Sequence, residues 1–186
     1  MSFDEVLARQ RGIFHADQAQ ACGVSRAAVR HRVATRRWQL VLPRVFAAFS
    51  GELTDRQRLQ ATLLYAGDDA LLSGGSALHL YGVRAATPLP ALALVPAGNQ
   101  RASTTFVVLS RTERIDDHAR EIDGLRVSSV ARAVAEAARR KHVLTEVRAL
   151  LAEAVQGRLT TVDRVEAELA AGARNGSRLL RVALDD

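Results

Sequence analysis

Apolar residues near the start of the chain recur at the spacing of helices. The apolar side chains of FDEVLAR share one face of a predicted helix over Phe3–Arg9. A second set has the spacing of a helix-turn-helix, with a small residue, a turn glycine and apolar residues that hold a second helix down: Ala19, Gly23, Val24, Val29 and Val33. This pattern predicts two more helices joined at Gly23, with Ser25 placed to cap the second one.

The stretch that follows, WQLVLPRVFAAF, has the pattern of a β-hairpin. Alternating side chains over 38–42 and the apolar run 45–49 predict two strands, joined by a turn at Pro43 and Arg44. We interpret Trp38 as a core anchor between hairpin and helix, because Trp usually buries most of its surface. Together with the preceding helices, the hairpin predicts a winged helix-turn-helix.

The rest of the chain has short β-rich runs followed by helical segments. A helix is predicted over Asp55–Ala66, and another begins in SGGSALHLYGV just beyond the glycine pair. Short strands are predicted within 91–128, in ALALVP, TTFVVLS and GLRVSS. Helices follow within 130–184, at 130–140, 143–156, 161–171 and a last one to Leu184. The predicted fold class is α+β: a winged helix-turn-helix domain at 1–50, then a mixed α+β domain at 51–186 that ends in helices.

Composition excludes several classes of protein. The chain has 186 residues, 48% of them hydrophobic, and can bury a core. No apolar run approaches the roughly 18 residues that a membrane span needs, and Asp4, Glu5 and Asp17 lie where a secretory signal would be apolar. We therefore expect a cytoplasmic protein without a membrane partner. The single cysteine, Cys22, rules out an intramolecular disulfide and a Cys-based zinc site.

The net charge of +6 is concentrated in the first quarter of the chain. Residues 1–50 hold eight arginines and three acids, whereas 51–186 hold eighteen basic and seventeen acidic residues. Between Gln18 and Gly51 there is no carboxylate to neutralise Arg26, Arg30, Arg32, Arg36, Arg37 and Arg44. Such a cluster favours a nucleic-acid backbone, because bound cations release its counterions. The alternative is a solvated basic face in an arginine-rich proteome, which explains the preference for Arg over Lys but not the missing acids.

The candidate DNA-binding residues follow from the predicted helix and hairpin. With Val29 and Val33 buried, the arginines of the second helix point away from the core, toward a major groove. Arg44 at the hairpin tip is placed to reach a neighbouring groove, while His31 and Arg32 lie toward the flank, near backbone phosphates. The predicted site residues are Ser25, Arg26, Arg30, His31, Arg36, Arg37 and Arg44.

Two clusters in the second domain contain residue types found in active sites. SGGSALH places serines close to His79 but lacks the lysine and spacing of a phosphate-binding loop, so Ser73 or Ser76 is predicted to cap a helix. A second cluster is interpreted as a solvated loop: Asp116, Asp117, His118 and Glu121. No catalytic residue, cofactor or metal ligand is predicted, and we expect the protein not to be an enzyme.

Three stretches between residues 12 and 138 resemble one family: GIFHADQAQACGVSRAAVRHRVATRRWQLVLPRVF, LLSGGSALHLYGV and DGLRVSSVARAVAEAA. They are similar to the AbiEi-type antitoxins and related regulators of bacterial type IV toxin–antitoxin systems. The resemblance implies a winged helix, a larger C-terminal domain, repression of the protein's own promoter and DNA contacts by Arg26, Arg30 and Arg44. This chain departs from the family at Arg44-Val45-Phe46, where Gly-Val-Tyr is usual, and at His15, where Thr usually opens the second helix.

Two functions are predicted. The first is a sequence-specific double-stranded DNA-binding transcriptional regulator, an autorepressor that binds the operator of its own promoter. The alternative is an antitoxin whose C-terminal domain counters a cognate toxin protein, while DNA binding serves autoregulation. No heptad seam marks a coiled coil, so we expect a monomer in solution or a dimer on DNA.

Overall fold

The computed structural model describes residues 1–114, 116–172 and 175–185. The N-terminal part contains α1 (Phe3–Arg9), β1 (Ile13–His15), α2 (Ala16–Ala21), α3 (Arg26–Ala34), β2 (Gln39–Leu42) and β3 (Val45–Ala47). The three strands form an antiparallel sheet in the order β1-β3-β2. The helix predicted over Phe3–Arg9 is confirmed, whereas β1 lies outside every strand that the alternation pattern predicts.

An aromatic cluster packs the helices of the N-terminal part against its sheet. The ring of Phe14, on β1, lies 5.0 Å from that of Trp38 and 5.1 Å from that of Phe3. Phe46, on β3, stacks on Phe14 with ring centroids 5.5 Å apart. Trp38 is only 9% exposed, so its predicted role as a core anchor is confirmed. Neutral aromatic contacts therefore hold the hairpin in place beside the helices.

The second part is a mixed α+β fold that ends in helices, which confirms the predicted fold class at this level. Its elements are α4 (Asp55–Ala66), β4 (Leu71–Leu72), α5 (Gly74–Leu80), β5 (Ala91–Pro96), β6 (Val107–Thr112), β7 (Arg120–Ile122), β8 (Leu125–Val127), α6 (Val130–Ala138), α7 (Leu144–Gln156), α8 (Val162–Ala171) and α9 (Arg178–Asp185). The helix over 55–66 and the C-terminal helices are confirmed to within a few residues. α5 begins at Gly74 itself rather than beyond the glycine pair.

A five-stranded sheet lies at the centre of this part, in the order β6-β5-β4-β8-β7. β5 runs parallel to β6 and antiparallel to β4, which in turn pairs in parallel with β8. α6 is buried along its whole length, with α5, α7 and α8 packed against it. Within the described residues, no helix combines the length and the apolar character that a bilayer crossing requires.

The N-terminal sheet and the second part share one hydrophobic cluster. It includes buried residues of β1, β2, β3, α4, β5 and β6, among them Ile13, Leu42, Val45, Ala61, Tyr65, Val95 and Val107. A hydrogen bond of 3.1 Å from Gln57 Nε2 to the carbonyl oxygen of Arg11 adds a polar contact. α4 therefore packs against both sheets, and it fixes the position of the N-terminal sheet on the second part.

Candidate nucleic-acid interface

α3 is capped at its start and anchored on one side. Gly23, just before it, has a φ of 81°, which confirms the predicted positive-φ turn. Ser25 Oγ accepts a hydrogen bond of 3.1 Å from the backbone N–H of Ala28 and satisfies a free amide of the first turn. Val29 is buried, whereas Arg26 and Arg30 are exposed. The helix therefore directs these arginines to the surface, as the periodicity predicts.

Three predicted residues meet around one cavity. Arg26 and Arg30 from α3, and Arg44 from the β2–β3 turn, line a space of about 280 Å³. The rest of the lining is apolar and consists of Ala16, Val24, Val29 and Phe46. All three arginines are exposed. The fold thus brings cations from a helix and a hairpin to one face of the N-terminal part.

The other predicted residues lie outside this cavity. His31, Arg36 and Arg37 are exposed on the second half of α3 and in the turn that follows it. Arg36 has a φ of 55° in that turn. Ser25 contributes as a helix cap, with its hydroxyl oxygen bonded to its own helix. A duplex that contacts His31, Arg36 and Arg37 must therefore extend past the end of α3.

Arg32 belongs to the aromatic cluster rather than to an exposed flank. Its guanidinium carbon lies 4.5 Å from the centre of the Trp38 ring, which is a cation–π contact. The backbone N–H of Trp38 also donates to the carbonyl oxygen of Arg32 at 3.1 Å. The Arg32 head group thus packs on Trp38, and its position near backbone phosphates stays a prediction.

Arg44 has a backbone conformation that favours glycine. Its φ is 66°, in the left-handed region that favours glycine. Its carbonyl oxygen accepts a hydrogen bond of 2.8 Å from Ala16 N–H, which ties the turn to the start of α2. Its guanidinium pairs with the carboxylate of Asp17, and both side chains are exposed. The acid-free range from Gln18 to Gly51 stops one residue short of this partner, so the sequence pattern missed it.

His15, at the position where the sequence analysis notes that threonine is usual, is the N-cap residue of α2. Its Nδ1 accepts a hydrogen bond of 3.3 Å from Asp17 N–H, and its own N–H donates to Gln18 Oε1 at 2.9 Å. This is a capping box. Burial lowers the pKa of His15 below its usual value; Asp17 opposes that change, and Arg44 adds to it. The neutral imidazole is thereby favoured, and only the neutral ring has a free Nδ1 acceptor.

The serines that were considered for catalysis have structural partners. Ser73 Oγ lies 2.8 Å from Ser128 Oγ in a buried hydrogen bond. Ser76 Oγ donates to Pro88 O at 2.8 Å and accepts from Leu92 N–H at 3.0 Å. Ser73 is the N-cap residue of α5, as predicted, although its hydroxyl makes no capping hydrogen bond, and Ser76 lies inside the helix.

The acidic loop is solvated at most positions and structural at one. Asp116 Oδ2 accepts hydrogen bonds of 2.8 Å and 3.1 Å from the N–H and the hydroxyl of Ser129. Ser129 is the N-cap of α6, so Asp116 fixes the start of that helix. Asp117 and His118 are exposed, as the interpretation of a solvated loop predicts. Glu121 is also exposed but lies on β7, so the loop interpretation is wrong for this residue.

Comparison of the chain with models of known protein families gives no match, and no curated protein is significantly similar to it. The resemblance to AbiEi-type antitoxins therefore rests on the three sequence stretches alone.

Proposed function

We propose that this protein is a sequence-specific regulator that binds double-stranded DNA through its first fifty residues, acting as a winged helix-turn-helix. One observation carries the proposal: Arg26, Arg30 and Arg44 line a single exposed cavity between α3 and the hairpin turn. The element order supports it, because α2 and α3 are joined by a short glycine turn and a β-hairpin follows them.

α3 is the element that we expect in the major groove. That groove is about 12 Å wide and admits an α-helix. Arg26 and Arg30 lie one helical turn apart on the exposed side of α3, so their guanidinium groups can bind guanine edges or flanking phosphates with paired N–H donors. Arg44, in the hairpin turn, then contacts the backbone beside that groove.

The electrostatics around α3 favour a polyanion. Among the described residues, no carboxylate forms an ion pair with Arg26 or Arg30. Arg44 pairs with Asp17, but exposed pairs contribute little, about 0.2–1 kcal/mol. A duplex phosphate can therefore replace Asp17 at small cost. The three arginines together supply several contacts whose strength falls with salt.

The regulatory role of this binding rests on the resemblance, which implies repression of the protein's own promoter. Binding there requires recognition rather than catalysis, so we propose a regulator that is not an enzyme. The antitoxin role stays a prediction, since no contact of the described residues favours a toxin. If the protein showed no affinity for DNA, the regulator proposal would have no basis.

The proposal is tested by fluorescence anisotropy on labelled DNA from directly upstream of the gene, with a shuffled duplex as competitor. Arg26→Ala and Arg30→Ala should each weaken binding by about 1–3 kcal/mol, because each removes paired donors to a base or phosphate. Arg178→Ala, at an exposed arginine on α9, is the matched control and should leave the affinity unchanged.

A salt titration adds a second readout to the same experiment. The logarithm of the affinity should fall linearly with the logarithm of the salt concentration, by about 0.9 for each phosphate that is neutralised. Unchanged affinity in both the Arg26 and the Arg30 variant, with unchanged melting temperatures, would remove α3 from the interface. Equal affinity for the upstream and the shuffled duplex would remove the claim of specificity.

A further inference from the structure

A second cluster of arginines surrounds a larger cavity in the second part of the protein. The cavity has a volume of about 650 Å³ and lies between the end of β6, α6 and the end of α8. Its lining includes Arg114, Arg132, Arg139 and Arg140 together with Glu136. We propose that this cavity is a binding site for the phosphate group of a small metabolite of mononucleotide size.

The carboxylates at this cavity are already shared among several arginines. Glu136 Oε1 lies 3.2 Å from Arg132 Nε and 2.7 Å from Arg139 Nη1, and its Oε2 lies 3.1 Å from Arg140 Nη1. Glu168, on α8, lies 3.2 Å from Arg132 Nη1. It also accepts two hydrogen bonds from the guanidinium of Arg114, one of them 2.9 Å long. Every oxygen of both carboxylates therefore already contacts at least one guanidinium group.

The charges around the cavity do not balance. Buried Arg132 and Arg139 offset buried Glu136 and Glu168, with side chains no more than 14% exposed. The exposed pair of Arg111 and Glu113, which also lines the cavity, is neutral as well. Arg114 and Arg140, with side chains 35% and 39% exposed, bind the same two carboxylates. Among the described residues that line the cavity, counted together with Glu168, arginines exceed carboxylates by two positive charges.

The inner wall also contains a buried donor that is poorly aligned with its nearest acceptor. Arg132 Nε is buried and makes no hydrogen bond to any residue that the structure describes, although Glu136 Oε1 lies 3.2 Å away. Arg132 Nη2 donates to the hydroxyl of Thr112 at 3.3 Å. A buried N–H with a poorly aligned acceptor gains less than one in a well-aligned hydrogen bond. An anion in the cavity would bring acceptor oxygens to a wall rich in guanidinium groups.

Phosphate fits this surplus better than a carboxylate does. A phosphate monoester carries a charge of about −1.5 to −2 at pH 7 and offers several strong acceptor oxygens. Arginine forks match those oxygens in paired hydrogen bonds. A carboxylate carries a single charge and would leave half of the surplus uncompensated. The volume of about 650 Å³ is typical of small-molecule sites and leaves room beyond the phosphate for the rest of a nucleotide.

The test is isothermal titration calorimetry on the full chain with adenosine 5′-monophosphate, inorganic phosphate and adenosine as probes. The nucleotide should bind with a Kd below about 1 mM, and adenosine should not bind. Arg114→Gln combined with Arg140→Gln should weaken binding at least about tenfold, because it removes the surplus charge. The matched control combines Arg26→Gln with Arg30→Gln, which removes the same number of charges around α3 and should leave nucleotide binding unchanged.

Two further measurements keep the outcomes distinct. The single variant Arg140→Gln removes an exposed guanidinium and leaves the contact between Arg114 and Glu168 in place. Its melting temperature shows whether a loss of binding comes with a loss of folding. The proposal would be overturned if neither inorganic phosphate nor the nucleotide bound. It would also be overturned if the Arg26 and Arg30 control lost as much nucleotide affinity as the test variant, or if only a polyglutamate peptide bound. DNA anisotropy on the same variants reports the α3 site separately, because Arg114 and Arg140 lie outside it.

Discussion

The two arginine clusters of this protein differ in what surrounds their guanidinium groups. Around α3, Arg26 and Arg30 are exposed, and the cavity that they line is otherwise mainly apolar. Around α6, Arg132 is buried and pairs with Glu136 and Glu168, which are buried as well. The same residue type therefore presents charge to a partner in one place and joins helices in the other. The placement of carboxylates, more than the number of arginines, separates these roles.

The largest expected effect comes from the buried cluster. Glu136→Gln removes the carboxylate that Arg132 and Arg139 share in a region almost closed to water. Breaking a buried pair by removing one partner costs about 3–5 kcal/mol, because the remaining charge is uncompensated. We expect the free energy of unfolding to fall by this amount in a urea titration at neutral pH.

The matched control for this change is Glu146→Gln on α7. Glu146 lies 3.4 Å from Lys141 in a more exposed pair, and such pairs contribute about 0.2–1 kcal/mol at most. A loss of similar size in both variants would show that burial does not strengthen the α6 cluster. The two arginine clusters would then differ in where they lie in the fold and not in how much their ion pairs stabilise it.

Around α3 we expect the opposite result, a small change in stability and a large change in DNA affinity. Arg26→Gln with Arg30→Gln should change the free energy of unfolding by no more than about 0.5 kcal/mol per site, since both side chains are exposed. The affinity for operator DNA should fall by about 1–3 kcal/mol for each arginine. Urea unfolding and DNA anisotropy on the same samples measure the two quantities. A marked loss of stability without a loss of affinity would make this cluster structural, like the one on α6.

Much of the fold follows from local sequence patterns. α1, α4 and the C-terminal helices were predictable because their apolar residues keep helical spacing over two or more turns. β4, with two residues, and β7, with three, are too short for an alternation pattern to identify. Their pairing within the sheet is decided by contacts between distant segments, which a local pattern does not contain.

In the candidate interface, too, some features follow from local sequence patterns and others depend on contacts between distant residues. The exposure of Arg26 and Arg30 follows from the buried position of Val29 on one helix, which is local information. The pair between Arg44 and Asp17 joins residues 27 positions apart, and no spacing rule for a single element predicts it. The cation–π contact of Arg32 likewise depends on where the Trp38 ring packs.

A third prediction concerns His15, the titratable cap next to the α3 cluster. Burial lowers its pKa in the folded chain, so below a pH of about 6.5 the unfolded chain binds more protons than the folded one. The free energy of unfolding should therefore decrease as the pH falls through this range, within the roughly 0.5–2 kcal/mol that an N-cap contributes. His15→Thr keeps a cap that does not titrate and should reduce this pH dependence. Urea titrations at several pH values compare the two proteins, and identical slopes would contradict the prediction.

The smallest expected effect tests the carboxylate that reaches the α3 cluster through Arg44. Asp17→Asn keeps the backbone N–H that His15 binds but removes the charge that pairs with Arg44. Affinity for operator DNA should rise by about 0.2–1 kcal/mol, because a phosphate no longer competes with Asp17. The salt dependence should steepen by up to about 0.9 if Arg44 then neutralises one more phosphate. Glu52→Gln, at an exposed acid before α4, is the control in the same anisotropy assay.

A fall in affinity for Asp17→Asn would have a different physical meaning. The pair would then orient Arg44 for its contact, and the carboxylate would act on the α3 cluster as Glu136 acts on the α6 cluster, by holding a guanidinium in place. A rise in affinity instead makes Asp17 a competitor for the hairpin arginine, and the two clusters then use carboxylates in opposite ways. The sign of this small change therefore decides whether the distinction between the clusters extends to the only ion pair of Arg44 within the described residues.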